Sequence, residues 1–92
     1  MKRIRVVAQG TVQGVGFRFA TKTEADRLGV TGWVRNVRSD RLEAEVQGEE
    51  PQVDEMQAWL RHGPPQAAVE SIDVSDLDVL AEEAEFRVIA SI

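Results

Sequence analysis

The sequence predicts an α+β fold, a ferredoxin-like two-layer sandwich whose antiparallel sheet carries two helices on one face. Short stretches of alternating apolar and polar residues mark half-buried strands, and two longer stretches carry apolar residues at helical spacing between glycine and proline boundaries. Their order along the chain is β-α-β-β-α-β, followed by a short terminal strand. Residues 1–92 are expected to form one domain, near the lower size limit for a self-sufficient core.

Residues 3–9 read as the first strand, with Ile4, Val6 and Ala8 facing a core and Arg3, Arg5 and Gln9 facing away. From about Phe19 to Leu28 a helix follows. Its stripe of Phe17, Thr21, Ala25 and Leu28 is thin, so it depends on docking to a sheet, and Gly29 is a left-handed stop. Val30 to Val37 has the β-branched and aromatic content of a second strand. A turn at Arg38-Ser39-Asp40-Arg41 leads into a third, where Leu42, Ala44 and Val46 alternate with Glu43, Glu45 and Gln47. That alternation predicts one buried and one wet face.

Gly48-Glu49-Glu50-Pro51 opens the second helix, with proline in the first turn and acids beside the positive dipole end. Val53, Met56, Trp59 and Leu60 form its core face, and Gly63-Pro64-Pro65 ends it. Residues 68–74 alternate weakly as a fourth strand, Asp73 to Glu85 reads as a solvated acidic connector, and Phe86, Val88 and Ala90 alternate as a last strand.

With 42% hydrophobic and 29% charged residues, the composition is that of a soluble globular protein. No apolar run approaches the roughly 18 residues of a membrane span, so no membrane partner is expected. The absence of cysteine excludes disulfides, thiolate catalysis and cysteine-held metals, and a cytoplasmic location is expected. A net charge of −5 argues against a nucleic-acid partner. Residues 1–41 nevertheless hold nine Lys/Arg against three Asp/Glu, a local excess able to steer a small anion if the fold keeps it together.

The most informative stretch is Gly10-Thr11-Val12-Gln13-Gly14-Val15-Gly16-Phe17-Arg18, where the first strand runs through three glycines into a helix. Glycines allow the left-handed backbone that turns successive N–H groups toward one point. The helix start adds unpaired N–H groups and a positive dipole end, and Arg18 adds a planar guanidinium matched to phosphate or carboxylate. By spacing alone the stretch also fits a plain glycine-rich turn with a solvated arginine. The second constellation, Gly32-Trp33-Val34-Arg35-Asn36, begins fourteen residues after Arg18. An Asn amide offers an acceptor and a donor that fix a water molecule at any pH, although Asn also commonly opens a hairpin turn.

As strings, both stretches resemble acylphosphatases, small hydrolases of carboxyl-phosphate bonds whose signature reads roughly G-x-V-Q-G-V-x-F-R and, at the end of the second strand, G-W-V-x-N. The likeness extends through the Glu43 and Gly48 spacing and the proline-initiated second helix. It departs at the hairpin turn, where Arg41 follows Asp40 in place of the usual glycine, leaving the turn type open, and the tail Phe86-Arg87-Val88 is only loosely similar.

The resemblance implies hydrolysis of small acyl phosphates to carboxylate and inorganic phosphate. A phosphate-binding loop of Gln13, Gly14, Val15, Gly16, Phe17 and Arg18 would hold the phosphoryl group, and Arg18 and Asn36 would be the catalytic pair, Asn36 orienting the attacking water. No metal or other cofactor is expected. His62, the only histidine, reads as a solvated helix-end residue. A non-catalytic anion-binding regulatory module on the same fold is the alternative. An RNA-binding sheet of the same element order is disfavoured because strands one and three expose Arg3, Arg5, Glu43, Glu45 and Gln47 and no aromatic. Trp33 falls on the opposite strand face from Asn36 and is expected to pack. No apolar stripe is left unmet, so a standalone monomer is expected.

Overall fold

The computed structural model describes all 92 residues, Met1–Ile92. The elements run β1 (Lys2–Thr11), α1 (Phe17–Leu28), β2 (Thr31–Val37), β3 (Arg41–Gly48), α2 (Glu50–Leu60), β4 (Ala68–Leu77) and β5 (Phe86–Val88), and the sheet order is β4-β1-β3-β2-β5. Both helices cover one face. There Ile4, Val6, Ala8, Val34, Leu42, Ala44 and Val46 meet Phe17 and Ala25 of α1 and Val53, Met56 and Leu60 of α2, all of them buried. Trp59 is half-buried and closes the core edge-on against Phe17, with ring centroids 5.7 Å apart.

The expectation of an antiparallel sheet holds for β4, β1, β3 and β2 and fails at the edge, where β5 runs parallel to β2 with Phe86 opposite Gly32. Chain direction is the reason. β4 ends beside Arg3, and the connector from residue 78 to residue 85 crosses to the far edge without leaving that end of the sheet. The returning strand must therefore oppose β4, which is the direction of β2.

The acidic run is not all solvated connector. Residues Asp73–Leu77 extend β4 along β1, and Glu83 folds onto the face opposite the helices, where it accepts from Arg3 Nη1 at 2.7 Å. Arg3 also donates to Glu45 and Gln47, and the Gln47 amide exchanges two 2.8 Å hydrogen bonds with the backbone of Leu80. The predicted wet face is consequently closed at its centre: Arg3, Glu43 and Gln47 are buried. Alternation located the two faces of β3 and misjudged what covers the second, because the cover comes from a segment more than thirty residues away.

In the β2–β3 hairpin the left-handed residue is Arg38 (φ 55°), and Arg41 lies in the first strand pair of β3 opposite Val37. The position left without its usual glycine, Arg41, therefore does not need a left-handed backbone. Arg38 tolerates its conformation in a turn tied down on both sides, by its own N–H to the Ile92 carbonyl (2.7 Å) and by Gln13 on its carbonyl (2.9 Å).

Candidate active site

β1 delivers the chain to the top of the sheet, where Val12 is buried and residues 13–16 form the turn into α1. Gly14 (φ 72°) and Gly16 (φ 75°) are both left-handed, and a Cβ at either would meet nothing within 4 Å. Backbone angle, not crowding, selects glycine here. Gly16 also caps α1, and no side chain satisfies the helix start. The N–H groups from Gly14 to Phe19 donate to no other group of the protein, so they and the positive dipole end remain available to an anion.

Three contacts hold this loop in place. The Phe17 ring is buried in the core, and Gly63 lies so close that a Cβ there would come within 2.4 Å of it. Val15 packs against the core. Gln13 points the other way: its Nε2 lies 3.3, 2.9 and 3.1 Å from the carbonyls of Val37, Arg38 and Arg41, clamping the loop to the hairpin. Of the expected loop residues, Gly14, Gly16, Phe17 and Arg18 line one pocket of about 230 Å³, whereas Gln13 and Val15 anchor it from outside.

Asn36 lines the same pocket from β2. It sits on the helix-facing side of its strand, opposite Leu42, and only 8% of it is exposed. Its Oδ1 is buried and takes no hydrogen bond from the protein. An unpartnered buried acceptor costs about 1–3 kcal/mol, and nothing in the core requires one at this position. Arg18 forms no salt bridge and is held lightly by its Nη1 donating to Ser91 Oγ at 3.4 Å. The pocket thus gathers free N–H donors, an unneutralised guanidinium and a free amide, a set of groups chemically able to bind an oxyanion.

Ser91, Val12 and Phe19 belong to the surroundings of this pocket and were not expected from the sequence. Ser91 had no local signal, being 73 residues from Arg18. Phe19 had one, an aromatic off the apolar stripe, about 200° around the helix from Phe17.

Two neighbouring arginines are committed elsewhere. Arg35 and Arg5 both pair with Glu43 on the face away from the pocket, and Arg35 lies 5.2 Å over the Trp33 ring. Trp33 is therefore a packing residue on the face opposite Asn36. Burial pushes the Glu43 carboxyl up, but hydrogen bonds from Arg35 and Arg5 and their charges outweigh this and hold it below the usual carboxylate range. Of the basic excess of residues 1–41, Arg3, Arg5 and Arg35 are neutralised by Glu43, Glu45 and Glu83. His62 is exposed at the end of α2, with Nδ1 3.2 Å from the Ala58 carbonyl. No cluster of three or more His, Cys, Asp or Glu side chains is assembled, and no helix is long and apolar enough to cross a membrane.

Comparison with known proteins identifies the family. The sequence profile of the acylphosphatase family matches residues 4–88. An acylphosphatase of Methylococcus capsulatus is 42% identical over 92 residues, the full length of both chains. Among solved structures, an acylphosphatase from Bacillus subtilis superposes with a TM-score of 0.91 at 31% identity, over 97% of this chain and 99% of that one. One from Coxiella burnetii does so at 0.89 and 36%, over 96% and 92%. With its sequence matched from β1 to β5 and its fold shared at this level, the chain belongs to the acylphosphatase family of hydrolases.

Proposed function

We propose that this protein hydrolyses the carboxyl-phosphate bond of small acyl phosphates, with the phosphoryl group held by the Gly14 to Arg18 cradle and the attacking water oriented by Asn36. The observation that carries the reading is the Asn36 amide, buried and unpartnered in the same pocket as an uncapped helix start and an unneutralised arginine. The phosphoryl oxygens accept from the free N–H groups between Gly14 and Phe19 and from the Arg18 guanidinium. The Asn36 amide holds a water in line with the scissile P–O bond through an interaction independent of ionisation state.

Water attacks phosphorus, the P–O bond to the acyl group breaks, and the carboxylate departs with the bonding pair. A carboxylate is a good leaving group, so positioning and stabilisation of charge on the transferring phosphoryl group are what the site must supply. Gln13 keeps the two halves of the site in register, since its amide ties the loop to the hairpin that carries Asn36.

The test is hydrolysis of benzoyl phosphate by the purified protein in EDTA, with p-nitrophenyl phosphate as a phosphomonoester control. Acyl phosphate cleavage alone is expected. Arg18→Ala should cost at least about 10²- to 10³-fold in rate, since it removes a charge and two donors, and Asn36→Ala about 10²-fold. An Arg18→Ala variant that kept most of its activity would sink the mechanism. Phosphate binding without turnover by the wild-type protein would make the loop a receptor and the protein a regulatory module.

A further inference from the structure

We infer that Phe19 is the specificity-determining residue for the acyl half of the substrate, selecting acyl phosphates with flat apolar acyl groups, an inference that rests on the hydrolase reading above. Phe19 is 78% exposed, the most exposed large hydrophobic side chain of the protein, yet it lines the pocket that holds Arg18 and Asn36. A single apolar residue on a surface needs no explanation in itself. Its position does, because it is the one exposed large apolar side chain on a pocket otherwise lined by glycines, buried residues and Arg18.

Val12, Phe17 and Asn36 are buried at the back of the pocket, and Gly14 and Gly16 have no side chains and only open space where one would be. Once the phosphoryl group sits on the loop N–H groups, the acyl carbon must project toward the open side, where Phe19 and the Arg18 stem stand. Phe19 lies one residue past Arg18 in the first turn of α1, about 200° from the buried Phe17, so its ring is held at the rim by the same helix that supplies the N–H donors. An aryl acyl group reaches this ring and stacks in an offset or edge-on arrangement, whereas the single methyl of an acetyl group covers little of it.

Phe19→Ala is the direct test. The position is solvent-exposed within a helix, and alanine is the better helix former, so the variant keeps the fold. Steady-state kinetics on benzoyl phosphate and acetyl phosphate are compared within each substrate, so the different chemical reactivities of the two mixed anhydrides cancel. kcat/KM for benzoyl phosphate should fall about tenfold, with acetyl phosphate within about twofold of wild type. Phe19→Trp should retain the benzoyl preference and Phe19→Lys should not.

Parallel loss on both substrates, or no change on either, would overturn the specificity role while leaving the hydrolase reading intact. A wild-type protein that turned over neither substrate would overturn the hydrolase reading and this inference with it.

Discussion

At the residue scale the site is built by leaving groups unpaired. Asn36 is the sharpest case, a buried amide whose Oδ1 has no donor inside the protein. Function at such a position opposes stability, because a protein selected for stability alone would place an apolar side chain there. Asn36→Leu, close in volume and without the amide, should abolish most acyl phosphate hydrolysis while leaving the thermal midpoint unchanged or raised, by up to about 1 kcal/mol in unfolding free energy. Calorimetry beside the kinetic assay checks both halves. A large loss of stability would mean that the amide is structural, as the hairpin-opening role of Asn supposes. The two roles could not be separated from the sequence around Asn36. What supports the water-orienting role is the missing partner of Oδ1, a property of three-dimensional surroundings.

At the scale of the element, the loop and α1 act as one device. The helix starts at Phe17, two residues before the expected start near Phe19, and the difference matters because it places Arg18 and Phe19 in the first turn, beside the uncapped N–H groups. Periodicity could not locate this start, since Gly16 caps through its left-handed backbone and leaves no Ser, Thr or Asp as a marker. Gly16→Ala should be costly for the same reason. An alanine at φ 75° costs about 1–2 kcal/mol, and relief of that strain would reorient the loop N–H groups. Both a lower urea midpoint and weaker inhibition by inorganic phosphate are expected. A Gly14→Ala variant should behave alike, whereas Phe19→Ala should leave phosphate inhibition unchanged.

For the whole molecule, the second face of the sheet carries the pH dependence. Glu43 is buried between Arg5 and Arg35, accepting from their Nε atoms at 2.7 Å each. Its folded value lies below its ordinary value of 4.5, so this cluster contributes stability that is fully present above about pH 4.5 and is lost as the pH falls through the depressed folded value. Glu43→Gln should therefore be less stable than wild type at pH 7, and the gap should narrow on acidification toward pH 3. Urea midpoints at the two pH values measure this. A gap of constant size would show that the carboxylate's charge is not what the arginines require.

The sequence by itself determined the element order, the buried faces of β1 and β3 and the glycine-rich turn that leads into the helix carrying Arg18, because each is written in local spacing: period two, period near four, or glycines before a helix start. Tertiary structure alone decided the parallel edge strand, the closure of the second sheet face by Glu83 and Leu80, the clamp that Gln13 makes, and the meeting of Arg18 with Asn36, Phe19 and Ser91 around one pocket. Those contacts join residues between about twenty and eighty positions apart, apart from Phe19 itself, and no local pattern encodes which distant polar groups will pair. Pairing is settled only when the apolar faces pack and bring them within hydrogen-bonding reach.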